Sequence, residues 1–285
     1  MRIGSKRMLP GNLPGTIERL EKMDLRNRND HHLNQEAEQR GAQATAKAAA
    51  RGGMLFGKKA REARLREVVD PSQILSSRVY NAMIGGVLLW GLLVNYLLCR
   101  NVGSYTNIFP NMNPLVFLIG YFVLAIGGIL LTMKAKNPLV SFLGYNLAVV
   151  PFGLVISTMV ESYGGINSFA VTQAFLYTLL IAVAMLATVV TFPNLFEKLG
   201  GALFSVLLGL ILCEALLLIF RVPQVVTSWI AAGLFSLYLG YDIYRSQQYP
   251  RTMKNAIASA LDIYMDLANL FIRILEITGK TSGDD

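Results

Sequence analysis

The stretch "ALDIYMDLANLFIRIL", residues 260–275, sets Asp262, Asp266, Asn269 and Arg273 into an otherwise apolar run. On a helix turning about 100° per residue, the i, i+4, i+7, i+11 spacing places all four on one stripe. Ile263, Met265, Leu267, Leu270, Phe271, Ile274 and Leu275 occupy the other faces. A carboxylate at a bilayer centre costs about 2.5 to 3.5 kcal/mol, so this stripe must face protein or water rather than lipid. Upstream, "SLYLGYDIYRS", residues 236–246, carries Asp242 beside Tyr238, Tyr241 and Arg245 at helical spacing. A loop of about ten residues returns the chain, so Asp242 is expected to meet Asp262 or Asp266 from a neighbouring antiparallel helix. Two carboxyl groups close together in a poorly solvated site do not both ionise readily. Such a pair shares a proton and acts as a pH-sensitive latch. When both groups ionise, it becomes a transient cation site.

The elements that position these residues follow from composition. Of 285 residues, 53% are hydrophobic and 15% charged, with mean hydropathy +0.45, a balance that excludes an ordinary soluble domain. Seven apolar segments are long enough to cross about 30 Å of hydrocarbon as helices. They are residues 79–98, 115–132, 139–159, 169–191, 202–220, 225–244 and the weaker 256–277. Backbone groups inside a bilayer must be satisfied within their own segment, so the expected fold is all-α, a polytopic seven-helix membrane protein. The expected division is a polar tail over 1–76, a membrane domain over 77–278 and a short polar end over 279–285.

Charge placement sets the expected orientation. Arg61, Arg64, Arg66 and Arg78 precede the first segment, Lys134 and Lys136 follow the second, Lys198 the fourth, and Arg245, Arg251 and Lys254 the sixth. The alternate loops hold Arg100, Arg221 and Glu161. This asymmetry puts the amino terminus in the cytoplasm. Seven crossings then put the carboxyl terminus outside, whereas a re-entrant seventh segment would return it. The net charge of +8 lies in the tail and these loops, which reads as membrane topology and not as nucleic-acid binding.

Residues 1–53 include the Ala/Gly/Gln-rich "QEAEQRGAQATAKAAARGG", without apolar periodicity, and are expected to be disordered. No signal-peptide apolar region is seen there. "KKAREARLRE", residues 58–67, is basic and reads either as a short helix on an anionic leaflet or as a plain solvated segment. His31 and His32 have no companion ligands, and Cys99 and Cys213 have no metal-type spacing. Gly85, Gly86, Gly127 and Gly128 are expected to allow close helix approach, and Pro151 to kink the third segment. Glu214, about two turns from the outer end of the fifth segment, either lines an outer vestibule or snorkels. Asp262 is either a third acid of the site or a helix-start acid favoured by the dipole or by water.

"LYLGYDIYR" and "IYMDLANLFIRIL" resemble the sixth and seventh helices of the Bax inhibitor family, whose bacterial members are seven-helix inner-membrane proteins. The family's aromatic-Asp pair falls on Tyr241 and Asp242. Its Leu-Tyr-x-Asp-x-x-Asn-Leu-Phe stretch falls on Ile263, Tyr264, Asp266, Asn269, Leu270 and Phe271. The resemblance implies a pH-dependent calcium leak in which Asp242 and Asp266 share a proton and hold the cytoplasmic end of a pore closed. It implies no cofactor, calcium only as the permeant ion held transiently by those two acids, and a plasma (inner) membrane location. The basic residue after helix two that contacts the pair in relatives corresponds to Lys134, in a position where the family is expected to carry Arg. A lysine does not supply the same bidentate fork. The family's acid within helix two is also missing, since "FLIGYFVLAIGGILL" is uncharged.

Two other classes compete. An intramembrane aspartyl protease also needs two aspartates on consecutive helices, but Ile263, Tyr264 and Met265 stand where its Gly-x-Gly would precede Asp266. A non-conducting regulator would bind a membrane protease or another membrane protein through the polar tail, with the acid pair only joining helices. No P-loop, dinucleotide fingerprint or Ser/His/Asp set is present, so no enzymatic activity is expected.

Overall fold

Each of the seven apolar runs becomes one helix. In a computed structural model that describes residues 62–219 and 225–281, these are α1 (Ser77–Asn101), α2 (Pro114–Lys134), α3 (Pro138–Ser162), α4 (Phe169–Thr191), α5 (Gly200–Ile219), α6 (Val225–Ser246) and α7 (Met253–Thr281). Among the described residues there is no strand, and the fold is all-helical. The expectation of disorder over residues 1–53 lies outside the described residues.

Local chemistry sets the starts. The Ser76 hydroxyl accepts from the Val79 N–H (3.4 Å), the Asn137 side chain from Leu139 (2.8 Å), and the Ser168 hydroxyl from Val171 (3.3 Å). Each satisfies an amide that the first turn leaves without a helical partner. Pro138 follows its cap at the first helical position, where its missing N–H costs nothing. Thr252 starts α7 in the same way, accepting from Asn255 (3.2 Å). Helix α3 continues through Pro151. One-turn helices, Tyr105–Ile108 and Pro193–Glu197, interrupt the α1–α2 and α4–α5 connections.

Helices α1 to α4 are long and apolar enough to cross a membrane. Their outward faces expose large side chains such as Leu89, Val123 and Leu180, far more apolar surface than a water-facing bundle leaves open. Helix α7 is different. It packs against α1, α2, α3, α4 and α6, so it is the central helix. Ala256, Ala260, Leu261, Tyr264, Leu270 and Leu275 on it are fully or almost fully buried. The Tyr264 hydroxyl donates to Asn95 of α1 (2.9 Å), and its ring meets Tyr145 and Phe152 of α3. These contacts tie the middle of α7 to two helices at once.

The tightest crossing joins α2 to α3. A Cβ added at Gly144 would lie 2.6 Å from the Thr132 nitrogen and 2.9 Å from the Gly128 oxygen, and one at Gly128 would lie 2.5 Å from the Ala148 nitrogen. Backbones this close also let Ser141 and Thr132 exchange side-chain hydrogen bonds with each other's carbonyls, at 3.0 and 3.3 Å. The sequence expectation holds for Gly128 and not for Gly85, Gly86 or Gly127, which face open space. Gly144→Val is therefore expected to destabilise the protein by about 1 to 3 kcal/mol through overpacking. Gly127→Val should be close to neutral, and unfolding in detergent micelles compares the two. Equal stabilities would remove the crossing as a structural requirement.

Candidate functional site

The polar stripe of α7 is real, and it runs the length of the helix through three stations. At the first turns, Asp262 is reached by Arg64, which lies ahead of α1. One Arg64 Nη donates to Asp262 Oδ2 (3.0 Å) and the other to Ser259 Oγ (3.0 Å) and the Asn255 carbonyl (3.3 Å). Arg64 Nε donates to Asn255 Oδ1 (3.4 Å), and the guanidinium lies 3.9 Å from the Tyr249 ring centroid. With only 3% exposure, Arg64 is part of the folded bundle, neither a leaflet-bound nor a solvated residue. Sequence reasoning counted it only as one charge among several. No local pattern links it to a partner almost two hundred positions away.

The second station is the acid pair. Asp242 and Asp266 are each 7% exposed. They stand on helices that pack directly against one another, and the neighbouring Leu239 and Ile243 of α6 and Ile263 and Leu267 of α7 line one cavity of about 580 Å³. The turn between the helices is shorter than expected, residues 247–252. Around it, Arg245 donates to the hydroxyls of Tyr241 and of Tyr249, the latter at 2.9 Å. Asn269 donates to its own helix at the Met265 carbonyl (2.8 Å). Lys134 ends α2 with an exposed side chain.

The third station lies nearer the other end of α7. Arg273 donates to Glu214 of α5 (2.8 Å) and to Glu276 one turn on (3.1 Å), and Ser228 of α6 donates to Glu276 (2.8 Å). Glu214 is thus an ion-pair partner joining α5 to α7, a tie that hydropathy did not reveal. Glu276 extends the stripe by the same i+3 step that sequence reasoning could have followed one turn further.

Comparison with known proteins places this arrangement. Residues 72–283 match the family described as inhibitor of apoptosis-promoting Bax1. The chain belongs to the Bax inhibitor family. Its relatives include an uncharacterized protein of Helicobacter pylori strain J99, 34% identical over 41% of this chain and 50% of that protein. An uncharacterized protein of Pseudomonas aeruginosa is 27% identical over 75% of this chain and 97% of its own length. Bax inhibitor 1 of Schizosaccharomyces pombe is 29% identical over 61% and 65%. The chain spans half the length of the Helicobacter proteins it matches. As a Bax inhibitor family chain with apolar helices of spanning length, it is a membrane protein.

All seven helices, and with them Asp242, Asp262, Asp266 and Glu214, fall inside the family match, whereas Arg64 precedes it. Among the described residues, no three His, Cys, Asp or Glu side chains gather to hold a metal ion. The stripe instead ties α7 to other elements by ion pairs at Asp262 and at Arg273, with the buried Asp266 between them.

The outer tie has a measurable strength. Arg273 and Glu214 are each 18% exposed, so their pair lies between the weak surface case and the strong buried one. A double-mutant cycle with Arg273→Ala and Glu214→Gln should return a coupling of about 1 to 3 kcal/mol in unfolding measurements. A coupling near zero would show that the contact joins α5 to α7 without holding them.

Proposed function

We propose that this Bax inhibitor family protein is a pH-dependent calcium leak channel of the bacterial inner membrane, gated by Asp242 and Asp266. The observation that carries the reading is two buried acids, Asp242 and Asp266, one on each of two helices packed against one another, inside a chain of this family. In this reading all seven helices cross the bilayer, the amino terminus faces the cytoplasm, and the pair lies in the cytoplasmic half. The protein transports and does not catalyse.

The mechanism follows from the physics of close acids. With one proton between them, the two groups are bridged by a hydrogen bond and α6 is held to α7. A change in protonation removes that bridge. Two ionised carboxylates repel each other and separate the helices, while their combined charge draws a divalent cation. Calcium prefers six to eight oxygen ligands, so two carboxylates with water and carbonyls hold it briefly and release it. A hard site with more acids would trap the ion and stop a leak.

Calcium entry into dye-loaded proteoliposomes tests this. Native flux should change with pH when followed across about pH 6 to 8, because one of two close acids gives up its proton less readily than a lone one. Asp242→Asn and Asp266→Asn should each abolish that variation, because an amide neither ionises nor shares the proton. No flux from any folded variant would overturn the channel reading and leave the non-conducting regulator, with the acid pair as a helix tie only.

A further inference from the structure

The Arg64 contacts have the makeup of a ligand site whose ligand belongs to the same chain. Four residues converge on one planar cation: the Asp262 carboxylate, the Ser259 hydroxyl, the Asn255 carbonyl and amide oxygens, and the Tyr249 ring beneath. The wall is pre-organised. Asn255 Nδ2 donates to the Pro250 carbonyl (3.0 Å), and the Tyr249 hydroxyl accepts from Arg245 (2.9 Å), so both present fixed faces to the guanidinium. All three guanidinium nitrogens are used, in directions that a lysine ammonium does not reproduce.

We propose that the start of α7 and the turn before it form a guanidinium-binding site, filled by Arg64, and that residues 62–67 are a strap which detaches when Arg64 leaves. The rest of the strap is held lightly. Lys254 donates to Glu67 at 2.9 Å and Asn255 at 3.5 Å, and Glu67 keeps 30% of its side chain exposed, against 3% for Arg64. Residues 65, 66 and 68 are exposed. The next firm tie comes where the Leu75 N–H donates to the Arg251 carbonyl (2.7 Å), just before α1. Arg64 is therefore the one deeply buried anchor of this segment.

Detachment matters for the acid pair. Asp262 lies one turn before Asp266 on the same face, and its charge is neutralised while Arg64 is seated. Withdrawal of the strap leaves an ionised Asp262 at the approach to the pair and adds negative potential there. That consequence rests on the proposed function; the site and the strap do not.

Hydrogen exchange followed by mass spectrometry on the full chain in detergent separates the two. In Arg64→Ala, amides of residues 62–67 and of 253–262 should both exchange faster, by about tenfold or more. Methylguanidinium should then slow exchange in 253–262 while 62–67 stays fast, because the free ligand refills the site without retethering the strap. Methylammonium at equal concentration should do nothing, and methylguanidinium should fail in the Arg64→Ala, Asp262→Asn double variant. Unchanged exchange in 62–67 would overturn the strap. No response to methylguanidinium, or an equal response to methylammonium, would overturn the site. If Arg64→Ala does not fold, Asp262→Asn alone must speed exchange in 62–67, and its failure to do so overturns the proposal. Calcium flux is not read in any arm, so the leak reading stands or falls separately.

Discussion

The central position of α7 is the constraint on which the rest depends. It is the least apolar of the seven long helices and carries Asp262, Asp266, Arg273 and Glu276 along one face. Facing lipid, that stripe would cost several kcal/mol per charge. Packed against five other helices, it meets Arg64, Glu214 and Ser228 instead. The more apolar helices α1 to α4 can then take the outer positions, where their exposed Leu, Val and Phe side chains suit hydrocarbon.

Close packing holds the central helix in place. Tyr264 reaches both α1 and α3, and the Gly128–Gly144 crossing draws α2 onto α3. Apolar burial alone gives little direction inside a membrane, because lipid tails are as apolar as leucine. Orientation of α7 therefore comes from shape, through small residues and aromatic edges, and from its polar partners. A rotation of α7 by about half a turn would carry the acids to the side now taken by apolar residues such as Leu267 and Phe271.

Much of this was legible in the sequence. Apolar runs located all seven helices, and the α4 bounds coincide with the expected 169–191, because Ser168 caps its start and Pro193 bars its continuation. The i, i+4, i+7, i+11 stripe was equally plain, since helical periodicity is a local property. Partners were not. Arg64 and Glu214 reach α7 across long sequence separations, and nothing in a linear pattern distinguishes a snorkelling glutamate from one that meets an arginine. The glycines were ambiguous for the same reason: Gly127 and Gly128 are neighbours in sequence, yet only Gly128 faces another backbone.

The order of charges along the stripe bears on how such a helix could switch. Both ends are joined to other elements by arginine, which stays charged at any physiological pH. Between these ties lie the buried Asp266 of α7 and, on α6, the buried Asp242. In the proposed reading the protonation change acts on Asp242 and Asp266, so α6 and α7 part locally while the bundle stays assembled. An arginine in the middle and acids at the ends would do the reverse, fraying the helix termini and locking the pore. In that proposed reading, the placing of charge along α7 suits a reversible gate better than general unfolding.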